Sequence, residues 1–170
     1  MVVWAGGFNG SANEYVAGDA GQSPDELRPW LFAGITVPLA AFTGHLLNET
    51  IVHGYDIARA AGRRWRIEPA RASMVLYQFF VPVMRAADPR ALVDQGTAAG
   101  VRATYEVRLR GQEQRLLFVF DDGQLRLEKT PERRVDCYLS ADPVAFLLVF
   151  WKRKSQWAAE PSRPWWPRRA

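Results

Sequence analysis

The chain is poor in the residues on which most metal centres and nucleophilic active sites depend. It has one cysteine, Cys137, and two histidines, His45 and His53, among 170 residues. A single cysteine excludes a disulfide within the chain and is typical of a reducing compartment. Because Cys137 shares one side of a predicted strand with apolar neighbours, we expect a buried thiol that packs as a small hydrophobe.

Several recognisable signals are also missing. No apolar run reaches the ~18 residues of a transmembrane helix, and the first residues lack the basic and apolar regions of a signal peptide. The glycine motifs of nucleotide-binding proteins, the nucleophile motif of hydrolases and the motifs of nucleic-acid readers are absent. The sequence therefore predicts a cytoplasmic protein with no membrane span and no nucleic-acid partner.

The charge of the chain is uneven. The net charge at pH 7 is +4. Residues 1–50 hold one arginine and five acids (−4), whereas residues 51–170 hold 21 Lys or Arg and 13 acids (+8). A basic half could meet phosphate, an anionic small molecule or an acidic membrane surface. The composition favours the simpler interpretation of a solvated, arginine-rich surface.

One stretch carries both histidines. Residues 38–61 predict a long helix in which Glu49 lies four residues from His45 and four from His53, with Asp56 three residues further on. These positions share one face at 3.6 residues per turn. Most other sides of the helix are apolar, so we expect Glu49 and His53 to point into a helical bundle and not into water.

A carboxylate and an imidazole at this spacing have two interpretations. They can share a metal ion on one helix face, or they can form a hydrogen-bonded pair on an ordinary interior face. His45 and His53 lie ~12 Å apart along the helix, so one ion cannot easily bind both. The predicted ligands are therefore Glu49 and His53, with a third ligand from another segment. His45 and Asp56 are candidates for an extra ligand or for a partner that orients the ligands.

The helices before and after this stretch are predicted from capping patterns. Residues 1–22 indicate a loop, and the pattern at Ser23–Glu26 predicts a short helix that ends before Gly34. A later helix is predicted from Pro69 to about Ala87 with a kink at Pro82.

After Gly100 the apolar period changes to two. Residues 101–110 alternate and predict a half-exposed antiparallel strand, with one apolar side made of Val101, Ala103, Tyr105, Val107 and Leu109. About four antiparallel strands follow this pattern, and Asp142 caps a final helix.

The predicted fold class is α+β, a partial helical bundle followed by a small antiparallel sheet packed with helices. We expect a helical metal-binding domain in residues 1–67, an α+β domain in residues 68–158 and an irregular basic tail in residues 159–170.

Two sets of motifs resemble one family. The string ETIVHGYDIARAAG, residues 49–62, resembles the metal-binding signature of the mycothiol-dependent maleylpyruvate isomerase family, a DinB-like four-helix bundle. The segments GVRATYEVRLRG, FDDGQLRLE and VDCYLSADPVAFLLVFWKRKSQW are similar to the sterol-carrier-type domain that is often fused to that bundle in actinobacterial proteins.

The resemblance implies that Glu49 and His53 bind zinc or another divalent metal and that mycothiol is the thiol cosubstrate of an isomerase or transferase. It names no catalytic residue. The family takes its third ligand from a histidine on an earlier helix, and no histidine precedes His45 here. The chain therefore resembles an N-terminally truncated member, in which activity could be lost.

Truncation leaves one face of the long helix to be covered. That face would pack on the C-terminal domain, form a homodimer or belong to a longer protein. The alternative function is a lipid- or apolar-ligand-binding module without catalysis. Its ligand would be enclosed by the sheet face of the C-terminal domain and an apolar helical stripe, or that stripe would simply fill a core. The residues of the stripe are Leu76, Phe79, Phe80 and Val83.

Overall fold

A computed structural model describes residues 22–30, 34–129 and 134–155. The predicted loop over residues 1–22 lies outside the described residues except for its last residue, and the predicted basic tail over residues 159–170 lies outside them entirely. The fold is α+β, as predicted. In chain order the elements are β1 (Leu27–Pro29), β2 (Thr36–Pro38), α1 (Leu39–Ala60), α2 (Pro69–Val75), a π-helical turn (Leu76–Phe80), α3 (Val81–Ala86), α4 (Gln95–Ala98), β3 (Arg102–Leu109), β4 (Arg115–Asp121), β5 (Leu125–Glu128), β6 (Cys137–Ala141) and α5 (Pro143–Phe150).

The long helix predicted over residues 38–61 is confirmed as α1. It begins after Pro38, which fixes a helix-compatible entry, and ends at Gly62, which adopts φ +66°. The backbone N–H groups of Gly62 and Arg63 donate to the carbonyls of Arg59 and Ala58 over 3.1 and 2.8 Å. This closure satisfies carbonyl groups that the last helical turn would otherwise leave unpaired.

The prediction of a short helix that begins at Ser23 is wrong. The Ser23 hydroxyl accepts a hydrogen bond from the N–H of Asp25 over 3.3 Å and forms a local turn. The chain then enters β1, which pairs antiparallel with β2. The same serine side chain that caps a helix also stabilises turns, and Pro29 cannot donate within a helix.

The helix predicted from Pro69 to about Ala87 is confirmed, with a π-helical turn in place of a simple kink. The N–H of Val81 donates to the carbonyl of Leu76, five residues earlier. The wider turn accommodates Pro82, which has no N–H to donate. α1 crosses this turn at Gly44, where an added Cβ would lie 3.0 Å from the Cβ of Phe79.

The four strands predicted after Gly100 form one sheet in the order β5-β4-β3-β6. β4 pairs antiparallel with β3 and with β5. β6 pairs parallel with β3, so the prediction of an entirely antiparallel sheet is wrong. The cause is that β6 returns to the far side of β3 instead of extending the hairpin next to β5.

One face of this sheet is apolar along its whole length, but the helices cover only one end. At the covered end the core includes Leu109, Leu116, Leu127 and Ala141 together with Leu147 of α5. Val101, at the other end, is exposed, and so is Leu139 on the edge strand β6. The same core also includes Ile51 of α1 and crosses the domain boundary predicted at residues 67 and 68.

Two polar contacts hold α1 against the end of α5. The indole Nε1 of Trp151 donates to the side-chain oxygen of Asn48 over 2.8 Å, and Asn48 is fully buried. About two turns further along α1, Arg153 binds Asp56, with Nη2 2.7 Å from Oδ2. α1 is thus fixed in position by residues about a hundred positions later in the chain.

We expect the Asn48–Trp151 hydrogen bond to contribute about 1 kcal/mol of coupling to the free energy of unfolding. Asn48→Ala and Trp151→Phe each remove one partner, and urea unfolding of the two single variants and the double variant measures the coupling. The pair Thr50→Ala and Trp151→Phe is the control, because Thr50 is exposed and bonds only within its own helix. Additive effects in the Asn48–Trp151 cycle would contradict the assignment.

Candidate apolar groove and histidine–glutamate face

An apolar groove lies over the uncovered end of the sheet. Its volume is about 330 Å³, and it is lined by Val101, Tyr105, Val107, Phe118, Phe120, Leu139 and Phe146. We call this feature the apolar groove. Five of the seven side chains come from β3, β4 and β6. Val101 directly precedes β3, and Phe146 comes from α5.

Strand register explains why these side chains meet. Tyr105 of β3 lies opposite Phe118 of β4, and Val107 lies opposite Leu139 of β6. Side chains alternate between sheet faces, so Phe118 and Phe120 project to the same side as Tyr105. The rings of Tyr105 and Phe120 meet edge to face with centroids 5.6 Å apart. The groove is therefore a continuous aromatic and aliphatic surface across three strands.

Phe118 and Phe146 separate the groove from the core. Both also line a closed gap of about 10 Å³ beneath the helices, together with Leu76 and Phe80. A gap of that size holds no ligand. The helical stripe that was a candidate ligand wall therefore fills a core, at least at Leu76, Phe79 and Phe80, which are buried.

Few polar groups face the groove. Tyr105 supplies the one hydroxyl among the residues that line it. Cys137 lies opposite Tyr105 in the parallel pairing and is half-buried, so the prediction of a fully buried thiol is wrong. β6 is an edge strand at the uncovered end, which leaves its first residue partly open.

The opposite face of β3 is less exposed than its polar pattern predicts. Glu106 is buried, with its carboxylate 2.6 Å from Nε of Arg108 and 3.5 Å from Nη1 of Arg115. The two guanidinium groups balance the charge of the buried carboxylate.

The histidine–glutamate face of α1 points largely to solvent. The side chain of His53 is 65% exposed and that of Glu49 is 38% exposed, with His53 Nε2 3.0 Å from Glu49 Oε2. The expectation that both point into a bundle is wrong for the described residues. The buried side of α1 is formed instead by residues such as Asn48, Ile51 and Val52.

His45 lies on the inner edge of this face. Its ring packs on Trp30 and Phe79 with centroids 5.2 and 5.0 Å apart. Its Nδ1 is buried, has no hydrogen-bond partner among the described residues and lies 3.8 Å from Glu49 Oε1. Burial lowers the pKa of His45, and the Glu49 carboxylate opposes that shift. A neutral imidazole with a free nitrogen is the form that binds metals.

The donors of this face fit a metal only in part. Among residues 22–30, 34–129 and 134–155, no three His, Cys, Asp or Glu side chains form a group that could hold a metal ion. The carboxylate of Asp56 is bound by Arg153 instead of by an imidazole. Glu49 and His53 would hold an ion together, with its other positions filled by water or by a group from outside the described residues.

The part of the chain with the four-stranded sheet thus carries an open apolar groove. Residues 86–159 match the model of the SCP-2 sterol transfer family. The match contains every residue that lines the groove, and it confirms the sterol-carrier part of the resemblance. It leaves out α1, so it does not bear on Glu49 and His53.

No curated protein matches the chain. Among solved structures the chain is similar to UbiJ-SCP2, a ubiquinone synthesis protein, with 15% identity over 53% of this chain and 77% of that chain and a TM-score of 0.29. A TM-score of this size supports no conclusion about function. Of the helices that the structure describes, none has both the length and the apolar character needed to cross a bilayer.

The Asp56–Arg153 pair predicts a pH dependence of stability. The hydrogen bond from Arg153 lowers the pKa of Asp56 below its usual value of 3.8. The pair therefore stabilises the fold fully above that usual value, and the contribution is lost as the pH falls through the lowered pKa. Asp56→Asn should lower the free energy of unfolding at pH 7 by at most about 1 kcal/mol, since the carboxylate is partly exposed.

Urea unfolding of the parent and of Asp56→Asn between pH 3 and pH 7 measures this effect. The difference between the two should shrink toward pH 3. Asp25→Asn, on the exposed turn before β1, serves as the control. A difference that stayed constant with pH would mean that Asp56 stabilises the fold without its charge.

Proposed function

We propose that residues 86–159 bind a sterol or another apolar lipid in the apolar groove. The observation that carries this proposal is the uncovered end of the sheet, where aromatic and aliphatic side chains face open space. An apolar surface that the fold leaves open gains free energy when a ligand removes it from water. The family match over the same residues supports a lipid as that ligand.

The groove favours binding along one side of the ligand. About 330 Å³ lies near the lower end of the usual range for small-molecule sites. A single acyl chain or one face of a sterol ring system fits this space, and the polar end of the lipid extends past the rim. The Tyr105 hydroxyl is positioned to orient a polar atom of the ligand. Binding of this kind requires no covalent step.

A second candidate function is a divalent metal site of the mycothiol-dependent isomerase type on α1. The observation in its favour is that the Glu49 carboxylate lies between two imidazoles, 3.0 Å from His53 and 3.8 Å from His45. A bound zinc ion would polarise a carbonyl oxygen or lower the pKa of a thiol such as mycothiol. Glu49 and His53 would hold it, and the packing on Trp30 and Phe79 would keep His45 in place beside them.

We expect Leu139→Glu to weaken lipid binding by about tenfold or more, since it puts a charge into the apolar groove. Leu139 is 41% exposed, so the substitution should leave the fold intact. Tyr138→Glu is the matched control, because Tyr138 is the adjacent residue, projects from the other face and is 52% exposed. Fluorescence titration with dehydroergosterol and with a fluorescent fatty acid measures the affinity.

Native mass spectrometry of the purified protein tests the same proposal without a chosen probe. The parent and Tyr138→Glu should carry copurified lipid, and Leu139→Glu should not. Equal binding by all three proteins, or no binding by the parent, would refute the groove as a lipid site.

For the metal site we expect zinc near one ion per chain, measured by plasma mass spectrometry after dialysis against zinc. Glu49→Ala and His53→Ala should each lose it, since one remaining ligand binds weakly. Thr50→Ala, exposed on the same helix, is the control. A parent protein without zinc would show that Glu49 and His53 form a structural pair.

A further inference from the structure

We propose that the arginine-rich concavity after α1 is a binding site for a phosphoryl group, separate from the apolar groove. The concavity has a volume of about 570 Å³ and is lined by Tyr55, Arg59, Arg63, Arg64, Trp65 and Arg66. We call it the arginine concavity. It lies outside residues 86–159, which match the sterol transfer family, so it goes beyond lipid binding in the groove.

The four arginines of this concavity lack a hydrogen-bonding partner in the part of the chain that the structure describes. None of their guanidinium groups makes a hydrogen bond or an ion pair with any residue that the structure describes. The two nearest acids in the sequence are already engaged. Asp56 forms an ion pair with Arg153 and interacts with Arg59 only through its charge. Glu68 pairs with Arg71 over 3.1 Å.

Helix capping does not account for these side chains either. Basic residues often lie at a helix C-terminus, where they can pair with the last carbonyl groups. Here backbone N–H groups of Ala61, Gly62 and Arg63 already donate to the carbonyls of Ile57, Arg59 and Ala58. The guanidinium groups therefore remain available to a ligand.

The shape of the concavity depends on a close contact between Trp65 and Gly54. A Cβ at position 54 would lie 2.6 Å from Cζ2 of the Trp65 ring. Only glycine lets the indole lie directly on the α1 backbone. This contact folds the segment after Gly62 back along the last turns of α1, so that arginines from the helix and from the segment surround one space.

Four guanidinium groups and two aromatic rings fit a phosphoryl group better than a single carboxylate. Guanidinium donors bind phosphate oxygens in a bidentate manner. A dianion also balances more of the uncompensated positive charge than a monoanion does. The phosphoryl group could belong to a phosphomonoester lipid or to a small soluble phosphate, and these sources share the same chemistry.

The test uses two probes and the full chain. Calorimetric titration with inorganic phosphate measures binding in solution. Cosedimentation with phosphatidylcholine vesicles, with and without phosphatidic acid, measures binding of a lipid phosphomonoester. Binding of inorganic phosphate would identify a soluble ligand, and binding only to the vesicles with phosphatidic acid would identify a headgroup.

Arg63→Ala with Arg64→Ala should weaken binding of the active probe by about tenfold or more. Arg90→Ala with Arg110→Ala is the charge-matched control and should bind as the parent does, since these exposed arginines lie elsewhere. Gly54→Ala keeps every charge but displaces Trp65, and it should weaken binding several-fold. Circular dichroism confirms that each variant is folded.

Four results would overturn the proposal. These are no binding of either probe by the parent, full affinity in Arg63→Ala with Arg64→Ala, an equal loss in the Arg90 and Arg110 control, and full affinity in Gly54→Ala. Leu139→Glu should retain full affinity for the phosphate probe, so failure of the groove as a lipid site is distinguishable from failure of this site.

Discussion

The apolar groove of this molecule depends on a mismatch between a sheet and the helices that cover it. The apolar face of the sheet runs the length of β3, β4 and β6, whereas the π-helical turn, α3 and α5 bury only the end with Leu109, Leu116 and Ala141. Closing the remainder would require another element over Val101 and Leu139. Because the described residues supply none, the hydrophobic effect leaves a surface that favours an apolar ligand.

Phe118 and Phe146 belong to two surfaces, because they line both the packed interior and the apolar groove. Their ring centroids lie 6.4 Å apart. On the covered side they border a gap of about 10 Å³, and on the open side they line the apolar groove. Changes in these rings therefore affect the core and the ligand surface together, whereas changes at Leu139 affect the surface alone. This is why the exposed rim gives the cleaner test of function.

Much of the fold follows from local sequence patterns, but the site follows only in part. Helix capping and apolar period predict α1, the helix from Pro69 and the strands, because these signals act over a few residues. The alternation around Tyr105 also marks the apolar side of β3 correctly. The parallel pairing of β6, the burial of Glu106 and the edge of the helical layer depend on contacts between distant segments. Local patterns can also be ambiguous: the Ser23 side chain is compatible with a turn as well as with a helix N-terminus.

The long helix illustrates how one element can serve several surfaces. Its inner side packs on Phe79 at Gly44 and hydrogen-bonds Trp151 through Asn48. The outer side carries Glu49 and His53, and its C-terminal end forms the arginine concavity. A helical wheel correctly places Glu49 and His53 on one face of α1, but it does not predict whether that face is buried or exposed. The buried Asn48 decides that question, since its amide requires a partner and finds it in Trp151. With that bond in place, Glu49 and His53 face solvent, whereas His45 stays packed on Trp30 and Phe79. A ligand of Glu49 and His53 must therefore approach from outside the described fold.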